Sequence, residues 1–366
     1  MENIKKIILI AGGGTGGHLF PAIAIGQEFE KNGFKVKYIG SKHGIEKEIF
    51  DKFKLDYYLM NITGIQRQLS IKSLISNFIF PFRFLITYIK SLLFLKSIKP
   101  SIIIGTGGYA SGLPLIAGLH LKIPTLIQDQ NSIPGLITKK LNKKIDKICL
   151  AYDIAASKLN NKKCIITGNP IQKDLKYLDR SFACKKLNLD ENKKNILILG
   201  GSQGASPINN HILNNIHNYT DNNFQIIWQC GKNDLQYLKS KIEDKNVTII
   251  DFIEDMSSAY SAADLVISRA GAITISESAY MGKAMILIPY PFAAENHQNI
   301  NADVVKNENA CIKINQNDLN TGIMEETIKN IFNNNSEIEN LKLNAKIFSK
   351  PKATENIVSE AMELIS

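Results

Sequence analysis

One construction occurs twice in this chain of 366 residues: a short apolar strand, a glycine-rich turn and then a helix. The first copy runs from Ile7-Ile8-Leu9-Ile10 into Ala11-Gly12-Gly13-Gly14-Thr15-Gly16-Gly17-His18. The second runs from Ile196-Leu197-Ile198-Leu199 into Gly200-Gly201-Ser202-Gln203-Gly204-Ala205. One such turn is a weak signal. Two, about half the chain apart, predict an α/β protein of two Rossmann-like domains with parallel sheets facing across a cleft.

Strands and helices alternate around both copies. In the first half, apolar runs at 35–40, 101–105, 124–128, 147–150 and 164–167 read as strands buried on both faces, which is the pattern of a parallel sheet covered by helices. In the second half the runs lie near 196–199, 225–229, 247–250, 264–268 and 284–288. Gly168-Asn169-Pro170 ends the first series and places the domain boundary, giving domains of 1–168 and 169–350. Pro351 then makes a hinge before a last amphipathic segment.

Bulk properties narrow the function classes. The five cysteines (Cys149, Cys164, Cys184, Cys230 and Cys311) lack CxxC spacing, which argues against a zinc site or a disulfide framework and fits a reducing cytosol. The apolar run at 7–10 is too short for a signal-peptide core, so no export signal is expected. A net charge of +10 reads as a lysine-solvated surface or as an anionic partner. No basic motif interleaved with aromatics is present, so nucleic acid ranks below nucleotide phosphates and an acidic membrane.

The segment 71–98 is dense in Phe, Leu and Ile, but Lys72, Arg83, Lys90 and Lys96 interrupt it and Pro81 is expected to break it. It is therefore not expected to span a bilayer. It reads as two core helices, or as a surface on which Phe78, Ile79, Phe80, Phe82 and Phe84, ringed by basic residues, enter an anionic membrane. Both hold if each reading takes one face.

The first turn is a literal Gly12-x-Gly14-x-x-Gly17 match to the dinucleotide fingerprint. That fingerprint wants an acid at the end of the second strand, and Tyr38-Ile39-Gly40-Ser41 supplies none, which counts against a nicotinamide cofactor. Five glycines around Thr15 instead leave amides open at a helix N-terminus, a site for phosphate or sugar oxygens. His18 ends that loop, where a structural imidazole and a proton-accepting one are about equally expected. Gly107-Gly108-Tyr109 and Gln128-Asp129-Gln130-Asn131 follow the next strands and crowd the same edge. Asp129 is a candidate functional carboxylate or a helix N-cap. In the second half, Gly201-Ser202-Gln203-Gly204 opens onto a helix with Pro207 in its first turn. The stretch 268–277 reads as strand end, small-residue loop and helix start; amides at Ala272, Ile273 and Thr274 favour a diphosphate. Glu277 suits either ribose hydroxyls or the helix dipole. The polar loop 289–299 follows the 284–288 strand.

Taken together, the motifs resemble those of the MurG family of peptidoglycan glycosyltransferases. The stretches that carry the resemblance are Gly-Gly-Thr-Gly-Gly-His (13–18), Gly-Gly-Tyr-Ala-Ser-Gly (107–112), Asp-Gln-Asn (129–131), Gly-Asn-Pro (168–170), Gly-Gly-Ser-Gln-Gly-Ala (200–205), Asp-Phe-Ile-Glu-Asp-Met (251–256), Gly-Ala-Ile-Thr-Ile-Ser-Glu (271–277) and His-Gln-Asn (297–299). Their order and spacing run essentially end to end.

The resemblance implies a glycosyltransferase-B fold and transfer of N-acetylglucosamine from UDP-N-acetylglucosamine to lipid I, making lipid II, with inversion at the anomeric carbon. It implies a peripheral protein on the cytoplasmic face of an anionic membrane, with no cofactor and no metal; the absence of an Asp-x-Asp motif agrees. The first domain would face acceptor and membrane, with 352–366 packing back on it, and the second would bind the UDP-sugar. Uracil would lie against Ile253. Ser202 with the stretch Ala272, Ile273, Thr274, Ile275, Ser276 would hold the diphosphate, with Glu277 on the ribose. Gln298 would reach the donor, Asn131 its sugar, and Thr15, Gly16 and Gly17 the donor or the acceptor diphosphate. Gly107, Gly108 and Tyr109 fall on the acceptor side. His18 is expected as general base, with Asp129 as its competitor. Two positions depart from the family pattern: Gln172, beside Lys173, replaces a common Arg, and Asp129 replaces a common Glu. Other readings are a related transferase for a different lipid, a UDP-N-acetylglucosamine epimerase, a catalytically silent sugar-nucleotide-binding or scaffold protein, and a nicotinamide-dependent oxidoreductase.

Overall fold

The apolar runs form parallel strands, and they sort into two sheets. The computed structural model describes residues 6–62, 71–159 and 162–366, with backbone alone over 71–80. The chain divides into unit 1, Met1–Gln172 with Lys352–Ser366, and unit 2, Lys173–Pro351.

Unit 1 contains β1 (Ile7–Ala11), β2 (Lys35–Ser41), β3 (Tyr57–Met60), β4 (Ile102–Gly105), β5 (Thr125–Asp129), β6 (Lys147–Leu150) and β7 (Cys164–Ile166). Among the described residues they make one sheet in the order β3-β2-β1-β4-β5-β6-β7, with Ile8 opposite Ile102 and Ile10 opposite Ile104. Side chains alternate between its faces. Ile8, Ile10, Ile102 and Ile104 pack with Leu19 and Ile23 of the helix Gly16–Lys31. Leu9, Ile103 and Ile127 pack on the other side with Leu113 and Leu115 of the helix Gly108–His120. The C-terminal helix Ala353–Glu363 returns to this unit and adds Ile357, Val358 and Ala361 to the first of these cores. Lys147 at the start of β6 pairs with its Glu360 (2.6 Å) and Glu363 (2.5 Å).

Unit 2 repeats the plan with β8 (Lys194–Leu199), β9 (Phe224–Gln229), β10 (Val247–Ile250), β11 (Leu265–Ser268), β12 (Ala284–Leu287) and β13 (Ile312–Lys313), ordered β10-β9-β8-β11-β12-β13. Strands β3 and β13 have no counterpart in the sequence pattern. Both are edge strands; β3 alternates in burial and β13 is two residues long, so neither carries a continuous apolar run.

Pro81 does not break the 71–98 segment, which is one 28-residue helix, Ile71–Ile98. Proline in a helix interior costs about 3 kcal/mol through a lost hydrogen bond and a crowded turn. Packing of the C-terminal half outweighs it: Thr87, Ser91 and Leu95 are buried, and the helix lies along Gly108–His120. Its outer face is apolar and exposed: Phe82 is 66 %, Leu85 56 %, Ile86 55 % and Leu93 63 % accessible, at the spacing of one helical stripe. The two-core-helix expectation fails for this face. Phe78, Ile79 and Phe80 lie outside the residues whose side chains are described. No helix among the described residues is long and apolar enough to cross a membrane.

Candidate active site

In unit 1 the strand order reverses between β1 and β4, the position at which open parallel sheets bind ligands beyond their C-terminal ends. After β1, Gly13 and Gly14 take positive φ and Thr15 occupies the N-cap position of the helix Gly16–Lys31. The first helical bonds run from His18 and Leu19 to Thr15 O, so the Gly16 and Gly17 amides precede the ladder. After β4, Gly108 sits at φ +71°, and a Cβ there would lie 2.3 Å from Gly13 O. Only glycine lets these two loops touch.

Three loops meet at this edge. His18, Gly107, Gly108, Tyr109, Asp129 and Asn131 line one cavity of about 530 Å³, walled on its apolar side by Phe84, Leu113, Ile116, Leu136 and Ile137. Thr15, Gly16 and Gly17 are not among its lining residues. His18 Nδ1 lies 3.1 Å from both Thr106 O and Gln130 Oε1. Asp129 is buried, and its carboxylate accepts Gly135 N–H (2.8 Å), Thr138 Oγ1–H (2.5 Å) and Asn131 N–H (3.4 Å), which pins the loop after β5.

The sequence pattern did not single out Glu46. Its fully buried side chain lies just beyond β2, and Oε1 accepts the N–H groups of Gly14 (2.9 Å) and Ser41 (3.1 Å). The acid is turned onto the loop backbone. Its signal was present but displaced: a Glu behind a Gly-Ser-Lys-His-Gly turn rather than at the strand end. Gln128, Gln130 and Asn169 are further buried polar residues behind His18.

In unit 2 the reversal falls between β8 and β11, so the Gly200–Gly204 loop and the 269–271 loop flank it. Ser202 is exposed on the first loop. Buried Gln229 donates Nε2–H to Gly201 O (3.0 Å) and accepts the Ile253 N–H at Oε1 (2.9 Å), so one amide ties the glycine loop to Ile253. In the helix Ala272–Tyr280, Ile275 N–H reaches Gly271 O (3.0 Å), so the Ala272, Ile273 and Thr274 amides lie ahead of the ladder. Ile275 itself packs into the core, and Ser276 Oγ–H donates to Ala272 O (2.9 Å).

Arg269 is a buried cation beside this loop. It donates to Ile288 O (3.2 Å), Pro289 O (3.2 Å) and Gln316 Oε1 (2.6 Å), and no carboxylate pairs with it among the described residues. Gln298 lies in the first turn of the helix His297–Asn307, behind Glu295 and Asn296, two non-glycine residues at positive φ, and accepts Tyr290 N–H at 2.9 Å. Such strained residues concentrate at ligand sites.

Burial pushes the Glu277 carboxyl up to about 7, against the hydrogen bond from Tyr260 OH (3.3 Å). The unfolded chain ionises this group near 4.5, while the folded one keeps its proton to about 7. The unfolded state therefore holds fewer protons between these values, and this group lowers stability as pH rises from 4.5 to 7. Denaturant melts of Glu277→Gln against the parent should diverge over that window, the variant gaining relative stability toward neutral pH. A constant difference overturns the assignment.

Residues 8–150 match the glycosyltransferase family 28 N-terminal domain, and residues 195–357 match the glycosyltransferase family 28 C-terminal domain. Two parallel sheets with glycine loops at their switch points, matching these two domains, define a glycosyltransferase of the GT-B class. The crystal structure of MurG from Acinetobacter baumannii, 27 % identical, superposes at a TM-score of 0.75 over 98 % of this chain and 99 % of that one. A protein named UDP-N-acetylglucosamine--N-acetylmuramyl-(pentapeptide) pyrophosphoryl-undecaprenol N-acetylglucosamine transferase, from Flavobacterium psychrophilum, is 40 % identical over 100 % of this chain and 99 % of its own. One of the same name from Christiangramia forsetii is 38 % identical over 98 % of each chain. The chain belongs to the MurG family. A UDP-N-acetylglucosamine 2-epimerase structure, 14 % identical at a TM-score of 0.66, is alike in fold alone.

Proposed function

We propose that this chain is an inverting transferase that moves N-acetylglucosamine from UDP-N-acetylglucosamine to the muramoyl 4-hydroxyl of lipid I, making lipid II for peptidoglycan. The observation that carries this is 40 % identity over the whole chain to a transferase named for that donor and acceptor. Unit 2 takes the donor: uracil against Ile253, the diphosphate on Ser202 and the amides of 272–274, the ribose on Glu277, with Gln298 toward the sugar. The helix N-terminus and the charge of Arg269 stabilise the leaving UDP. Unit 1 takes the acceptor along Gly107, Gly108 and Tyr109, with Thr15, Gly16 and Gly17 offering amides to a diphosphate and Asn131 toward the transferred sugar. The muramoyl oxygen bonds to the anomeric carbon, the bond from that carbon to UDP breaks, and the hydroxyl proton passes to His18 Nε2.

A polyprenyl diphosphate stays in the bilayer, so the enzyme must come to it. The exposed stripe of the 71–98 helix, with Arg83, Lys90 and Lys96 beside it, suits the anionic cytoplasmic leaflet. Changing Phe82, Leu85 and Ile86 to serine should reduce co-sedimentation with phosphatidylglycerol vesicles about tenfold or more at unchanged UDP affinity. Unchanged sedimentation removes the helix from the docking surface.

The function is tested by turnover of labelled UDP-N-acetylglucosamine with and without lipid I. Label entering the lipid fraction only with lipid I is expected. An epimerised or hydrolysed sugar nucleotide without labelled lipid overturns the assignment.

A further inference from the structure

Behind His18 runs a closed chain of amides whose direction is set by backbone carbonyls. Asn169 Nδ2 donates to the backbone oxygen of Gln130 (3.2 Å), which turns Asn169 Oδ1 toward Gln128 Nε2 (3.2 Å). Gln128 Oε1 then accepts from Gln130 Nε2 (2.7 Å), and the same nitrogen donates to Thr106 O (2.6 Å). This leaves Gln130 Oε1 as the atom facing His18 Nδ1 at 3.1 Å. Thr106 O, which can only accept, lies at the same distance from that nitrogen. Two acceptors therefore meet Nδ1, and Nδ1 must carry the ring proton. All three amide residues are buried.

We infer that Gln130, itself aligned by Gln128 and Asn169, is a positioning residue that fixes His18 in the Nδ1–H tautomer and so makes Nε2 the basic nitrogen. The inference rests on His18 being the general base. The arrangement has the logic of a triad, with nucleophile hydroxyl, imidazole and orienting group, but the orienting group is a neutral amide where a carboxylate is usual. It also gives a role to Asn169, in the Gly168-Asn169-Pro170 stretch that ends the first series of strands.

Charge matters here because an amide orients the ring without favouring imidazolium, whereas a carboxylate does both. The titratable groups lining the same cavity are Arg83, Tyr109 and Asp129, with Glu46 held on the glycine loop through Gly14 N–H. Asp129 is directed at Gly135, Thr138 and Asn131.

Two measurements test this. In the unmodified protein, ¹⁵N spectra of labelled histidine should show neutral His18 with its proton on Nδ1; a proton on Nε2 overturns the inference, and no variant needs to fold. Gln130→Glu should move the acid limb of the kcat–pH profile up by roughly one unit or more, with the KM for lipid I unchanged. Gln130→Met should lower kcat by roughly tenfold or more at every pH. An unmoved limb in folded Gln130→Glu, with His18→Gln inactive, overturns the role of Gln130 and leaves the base assignment standing. Wild-type turnover in His18→Gln overturns both.

Discussion

Replacing His18 by glutamine is expected to lower kcat by about 10²- to 10⁴-fold while the KM for UDP-N-acetylglucosamine stays near its wild-type value. The split follows from where His18 sits. It is in the first turn of the helix Gly16–Lys31 of unit 1, in the cavity shared with Gly107, Gly108 and Tyr109, while the proposed uracil, diphosphate and ribose contacts belong to unit 2. Glutamine keeps a side chain of similar length that can hydrogen-bond but cannot take a proton at neutral pH. Asp129 is the control. Its oxygens already accept three hydrogen bonds within its own loop, so Asp129→Asn should show mainly as a lower melting temperature. If folded Asp129→Asn loses as much kcat as His18→Gln, the base is Asp129.

The second large effect is expected at Gly204. A side chain there must sit at φ +77° with its Cβ 2.0 Å from Cys230 O, a backbone atom that cannot swing away. Gly204→Ala should therefore displace the 200–204 loop from the 230–231 turn and weaken UDP binding by about a hundredfold, or ~2.7 kcal/mol, more than the ~1–2 kcal/mol of left-handed strain alone. Gly201→Ala separates the two causes. It has a similar φ of +86°, but nothing lies within 4 Å of its added Cβ, so only the strain applies. Titration calorimetry with UDP should rank Gly204→Ala far below Gly201→Ala. Equal losses would show that backbone strain, not the close approach, is what the loop cannot tolerate.

Much of this molecule was legible because buried parallel strands leave continuous apolar runs. Ile7–Ala11, Ile102–Gly105 and Leu265–Ser268 are such runs, and each ends in a glycine or small-residue loop that carries proposed site residues. Edge strands leave no such run, which is why Tyr57–Met60 and Ile312–Lys313 were silent. The break expected at Pro81 is absent because its local penalty is overridden by the packing of Thr87, Ser91 and Leu95, which the sequence around the proline does not show. The residues around the site to which the sequence pattern assigns no role share one property: they act on backbone or on other side chains. Glu46, Gln128, Gln229 and Asn169 make long-range hydrogen bonds that no spacing rule announces.

Unit 1 is discontinuous along the chain, and that sets an order of events during synthesis. Its sheet emerges from the ribosome first, yet the core against β1 stays open until Ile357, Val358 and Ala361 arrive at the far end. Unit 2 is continuous from Lys173 to Pro351 and can complete its core before that. A nascent or truncated chain thus reaches a finished unit 2 before a finished unit 1. Premature termination anywhere upstream of the last helix leaves apolar surface exposed in unit 1, which is the state that quality-control proteases recognise.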